Sequence, residues 1–144
     1  MIFAPILLLL IGGGLCVCLL ALWQGETPER VAAALILANI LVVILGKFVG
    51  YLNDPLISLA MDGLTALGFL ALAVIFSSLW LGAAMLLQAA LFALHSYYLV
   101  TDKAPDRFHA VANNLDFIGI LLCMAFGTVL AVRRRRMARS PSGA

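Results

Sequence analysis

Five stretches of almost unbroken apolar sequence, each near the roughly 20 residues needed to cross a bilayer core, constrain this chain more than any other feature. They fall at about 3–23, 29–51, 55–76, 79–100 and 112–132. The runs are continuous and do not alternate, so they predict helices and not barrel strands. The expected fold is therefore all-α: a polytopic transmembrane bundle of about five helices over 1–132, followed by a basic cytoplasmic tail over 133–144.

Composition points the same way. Of 144 residues, 65% are hydrophobic and 11% charged, whereas a soluble domain is near half apolar and a quarter charged. A globule this small keeps much of its surface in contact with solvent, so it could not bury such an excess. The charge includes one short arginine cluster without interleaved aromatics, which does not fit nucleic-acid binding.

The first run lacks a preceding Lys or Arg, is too long for a signal-peptide core and has no small-residue cleavage site after it. It is expected to remain as a helix. Thr27-Pro28 reads as a cap followed by proline at the first helical position. Asn53-Asp54-Pro55 reads the same way. Ser77-Ser78 is the only break between the third and fourth runs, which must then be antiparallel neighbours. The segment from Thr101 to about Val111 is read as the longest loop, partly helical if Pro105 starts the fifth helix early.

The arginines orient the bundle. With Arg133, Arg134, Arg135, Arg136 and Arg139 in the cytoplasm, five helices place the N-terminus outside and Arg30 inside; without the first helix, four would remain and the N-terminus would be cytoplasmic. Lys47, Lys103 and Arg107 then lie outside. Trp23, Tyr51, Trp80, Tyr97 and Tyr98 fall near predicted helix ends and read as an interfacial aromatic belt.

Ionisable side chains within a membrane are costly and usually face a bundle interior or a wet cavity. Asp62 lies about 10 Å below the outer surface and His95 about 8 Å, at 1.5 Å per residue. Asp116 is read as about four residues into the fifth helix, at a similar level. Each belongs to a polar stripe at helical spacing: Ser58, Asp62 and Thr65; Gln88, His95 and Tyr98; Asn113, Asp116, Gly119, Cys123 and Gly127. The last is also a small-residue ridge that permits close helix approach. The stripes predict that helices three, four and five pack inward and that both carboxylates pair with His95. Such a network can fix helix register, relay protons because imidazole titrates near neutrality, or hold a divalent metal. Asp116 alone could instead cap or solvate the end of its helix. His109 is placed in the loop at the wrong depth, so no haem and no other cofactor is expected. Asn39 should hydrogen-bond across a helix interface. Arg133–Arg136 set topology and could bind anionic lipid headgroups. Cys16, Cys18 and Cys123 have no metal-type spacing and read as small hydrophobes.

The stretch from Ser78-Leu79-Trp80-Leu81-Gly82 through Gln88, then Leu94-His95-Ser96-Tyr97-Tyr98-Leu99-Val100, and Asn113-Asn114-Leu115-Asp116 before the arginines, resembles a group of uncharacterised small inner-membrane proteins of alphaproteobacteria. The resemblance covers roughly the C-terminal half. It implies a bacterial inner membrane and nothing about activity.

Three functions remain open. The first is a non-enzymatic accessory or assembly subunit that meets the bilayer and another membrane protein or itself. The second is a proton- or metal-coupled carrier or channel using Asp62, His95, Asp116 and Gln88. The third is a holin-like permeabilising protein. No nucleophile–base spacing, HExxH or phosphate loop argues for an enzyme.

Overall fold

The computed structural model describes residues 3–50 and 54–139. They form five helices: α1 (Phe3–Gln24), α2 (Thr27–Val49), α3 (Pro55–Phe76), α4 (Leu79–Val100) and α5 (Arg107–Arg139). Four helices, α2 to α5, are long and apolar enough to cross a membrane; the described apolar stretch of α1, Leu9–Gln24, is shorter.

Local chemistry sets most of the boundaries. Asp54 caps α3 by accepting from the Leu56 amide at 2.9 Å, with Pro55 leading the helix, so the expected cap is found. The start of α2 differs by one residue: Glu26, not Thr27, is the cap, and the Glu29 carboxylate accepts the Glu26 amide at 2.9 Å. A glutamate three residues on satisfies an amide that a threonine cap would have left free. Gly50 ends α2 in the left-handed conformation that glycine adopts without a Cβ penalty. Ser77 takes the same conformation at the end of α3 (φ 47°) and makes the two-residue reversal into α4.

α5 begins at Arg107 and runs for 33 residues to Arg139, so the fifth helix starts early, 107–111 is helical, and the basic segment through 139 continues the helix. The arginines extend the helix because Arg is a good helix former and nothing in the segment breaks it. Tyr51 and Asn53 lie outside the described residues.

The α3–α4 hairpin packs against α5, and α1 lies against α2 and α5. Gly14 of α1 meets Phe117 and Leu121, while Gly25, just past α1, is bonded by Arg135. Residue numbers thus rise together along both helices, and α1 runs parallel to α5. The helices meet through small side chains: Ala21, Ala32, Ala33 and Ala84 are fully or almost fully buried, beside Phe69, Leu81 and Met124. Small residues are what allow close approach when lipid offers no hydrophobic drive for helices to associate. The outside of the bundle is apolar, with Leu64, Leu67, Val74, Leu86, Leu122 and Phe126 all well exposed, as a surface that meets lipid or a partner would be.

Asn39 of α2 donates from its amide nitrogen to Thr65 Oγ1 of α3 at 2.7 Å, and that hydroxyl in turn donates to the Met61 carbonyl. The cross-helix bond expected for Asn39 is therefore present. The aromatic belt is only partly so. Trp23 and Tyr97 are exposed, 77% and 55%, but Trp80 and Tyr98 turn inward at 5% and 7%. Trp80 is drawn in because Gly127 leaves room for the indole: a Cβ at that glycine would sit 2.5 Å from it.

Candidate functional site: a histidine pair at one end of the bundle

One end of the α3–α4–α5 packing gathers the titratable groups. Asp62 lies two turns into α3 and His95 little more than one turn from the end of α4, so the antiparallel hairpin brings them level. His95 Nδ1 hydrogen-bonds Asp62 Oδ2, the imidazole N–H donating to the carboxylate. The side chains keep 20% and 17% of their surface exposed, so the pair is partly enclosed and not sealed.

The second imidazole is His109. Its ring stacks on that of His95, centroids 4.7 Å apart and planes 30° from parallel. The expectation that His109 lies in a loop at the wrong depth is thus corrected: it is two residues into α5, whose early start carries it down onto α4. Its ring also meets Tyr98 edge-on at 4.8 Å.

Asp116 departs from expectation in the other direction. Because α5 begins at Arg107, Asp116 is nine residues in, about 14 Å along the helix axis. It is buried, and its Oδ2 has no hydrogen-bond partner. It is close enough to interact electrostatically with Asp62 and His95 but does not join their hydrogen bond, so only one of the two carboxylates pairs with His95. It neither caps nor solvates the helix end. Gln88 is buried two turns below His95 on the same face of α4. Among the described residues no group of three or more His, Cys, Asp or Glu side chains converges to hold a metal; the carboxylate that would complete such a set sits deeper on α5.

A polar clasp covers the cluster from outside. Asp106 Oδ1 accepts from the Tyr98 hydroxyl at 2.7 Å and from the His109 amide at 2.9 Å, and the Asp106 carbonyl accepts from the Ala110 amide. Asp106 therefore caps α5 and ties it to α4. Lys103 lies 3.7 Å from the other carboxylate oxygen and 5.5 Å from the Tyr98 ring centre. The His109 amide, then the Tyr98 hydroxyl, hold the Asp106 carboxyl below the usual carboxylate range. A depressed carboxyl stabilises the fold above its unfolded pKa and loses that contribution as pH falls through the folded value. The clasp should accordingly hold at neutral pH and release only below about pH 4. In Asp106→Ala, the amides of 107–110 should exchange hydrogen faster at neutral pH; unchanged protection there would mean the clasp does not order this end.

The opposite end carries the arginines. Arg135 donates to the Gly25 carbonyl at 2.7 Å and lies 3.6 Å from Glu26, while Arg30 Nε donates to the same carbonyl at 3.1 Å. The α1–α2 turn and the arginine segment are thus at one end of the bundle. Arg133, Arg134 and Arg136 are exposed on the last turns of α5.

Comparison with known proteins finds no matching protein-family description, curated protein or solved structure.

Proposed function

We propose that this chain is a non-enzymatic, multi-pass subunit of a bacterial inner membrane that responds to protons through Asp62, His95 and His109. In this reading the N-terminus and the histidine pair face outward, and the arginine end of α5 faces the cytoplasm. The observation that carries it is the stack of two imidazoles from different helices with a carboxylate bonded to one. Two cations 4.7 Å apart repel by about 3–4 kcal/mol at an effective dielectric near 20, and the Asp62 carboxylate is hydrogen-bonded to His95. Among the described residues, Asp116 below and Tyr98 and Asp106 above also face the pair, and Lys103 lies against Asp106. A second proton therefore strains the contact between the outer ends of α4 and α5.

The same geometry favours a responsive subunit over a carrier or channel. Between Gln88 and the Ser77–Ser78 turn, α4 presents only apolar or small residues, and so does α5 from Phe117 to Gly127. The polar groups of these helices therefore do not continue as a path to the other end. Short connections between the helices also support a chain whose work is done within the bilayer or against a membrane partner.

The test places spin labels at Tyr97→Cys and Phe108→Cys, both exposed, after Cys16, Cys18 and Cys123 are replaced. The label distance in liposomes is expected to lengthen between pH 8 and pH 5 in the parent and to stay fixed in His109→Gln. Equal distances at both pH values would leave the cluster as structural glue. Proton flux that Asp62→Asn abolishes would instead establish the carrier.

A further inference from the structure

A groove of about 480 Å³ runs between α1 and α5 at the arginine end, within the roughly 300–1,000 Å³ range of ligand clefts. Its walls are Val17 and Leu20 from α1 and Ala125, Val129 and Val132 from α5. Thr128 also lines it, but its hydroxyl is committed to the Met124 carbonyl at 2.9 Å. The polar groups gather at one mouth: Gln24, Arg133 and Arg136. On α5 the lining residues recur every three or four positions, so they form one continuous face, and the two arginines lie one turn apart at its end.

From Ala125 to Arg136 the α5 wall is about 16 Å long at 1.5 Å per residue. That is close to half of a hydrocarbon core of about 30 Å, the depth of one leaflet. The groove is thus apolar over one leaflet and cationic at the level where headgroups begin. Arg135 is turned aside to Gly25 and Glu26. Among the described residues no carboxylate pairs with Arg133 or Arg136, so both guanidiniums are available to an anion from outside the chain. A guanidinium fork matches phosphate oxygens two at a time.

We propose that this groove seats one anionic phospholipid of the cytoplasmic leaflet, an acyl chain against Val17, Leu20, Val129 and Val132 and the phosphate between Arg133 and Arg136. The site is distinct from a diffuse attraction between a basic segment and a charged surface, which would draw on all the arginines alike. Here Arg133 and Arg136 hold the lipid, and Arg134, which does not line the groove, does not.

Native mass spectrometry of the full chain, extracted from vesicles of equal phosphatidylglycerol and phosphatidylcholine, tests this. One phosphatidylglycerol is expected to stay bound in preference to phosphatidylcholine. Replacing both arginines (Arg133→Gln with Arg136→Gln) should reduce that retention roughly tenfold to thirtyfold, at about fivefold per basic residue. Leu20→Trp, at an exposed position that narrows the groove while leaving every charge in place, should expel the lipid as well. Arg134→Gln should retain it. Equal retention of both lipids, an Arg134→Gln loss as large as that of the paired variant, an undisturbed lipid in Leu20→Trp, or a polypeptide occupying the groove in place of lipid would each overturn the proposal.

Discussion

Gly127→Val is expected to lower the stability of the bundle by about 3 kcal/mol, the upper end of overpacking penalties. A Cβ at Gly127 would lie 2.5–2.7 Å from three atoms of the Trp80 indole. The ring has little room to retreat, since Trp80 is 5% exposed and belongs to the hydrophobic core. Gly119 faces a similar approach from Leu87, at 2.8 Å, but a leucine methyl can rotate away and an enclosed indole cannot. Reversible unfolding in bicelles measures the loss. Trp80→Ala should itself cost about 3–5 kcal/mol by leaving a cavity. With Gly127→Val in the same chain the two losses should fall short of their sum by about 1–3 kcal/mol, because the new methyls occupy the space the indole leaves. Additive losses would show that the ring does not rest on this glycine.

The second large effect is expected in the α1–α2 turn at the arginine end. Gly25→Ala should cost about 2–3 kcal/mol, while Gly12→Ala and Gly13→Ala should be neutral or gain up to about 1 kcal/mol from helix propensity. A Cβ at Gly25 would meet the Ala21 carbonyl oxygen at 2.2 Å and the Glu29 Cβ at 2.6 Å, whereas nothing lies within 4 Å of one at Gly12 or Gly13. The close oxygen is backbone, and it accepts the Gly25 amide at 2.8 Å, so relieving the clash means breaking the bond that closes the turn. The Gly25 carbonyl would move too, and with it the anchor of Arg30 and Arg135. The same unfolding measurement, run on the three alanine variants together, decides the matter; equal stabilities would show that the turn is open enough for a side chain.

These residues also show what can be read from a sequence of this kind. The helices are legible because each apolar run is long, and Asp62 meets His95 because a two-residue break leaves no choice but an antiparallel hairpin. Asn39 finds a partner for the reason any polar side chain at that depth must. His109 was hidden by its neighbours: Asp102, Lys103, Asp106 and Arg107 look like a solvated loop. The spacing of His109, Asn113 and Asp116, at four and then three residues, already continued the helix-five stripe upward. An aspartate three residues before His109 was the matching cap signal. Asp116 and Trp80 depend on facts that no local pattern carries. The register of α5 against α4 places Asp116 below the pair, and Trp80 turns inward only because a glycine 47 positions later lies opposite it.

One feature of α5 reaches further than either of its ends. Its 33 residues span about 50 Å at 1.5 Å per residue, against a core of about 30 Å, and no proline interrupts them. His109 and Arg136 are therefore mounted on a single unbroken rod. If protonation tilts one arm, as the proposed function holds, the other arm would be displaced with it, at the far end of the bundle.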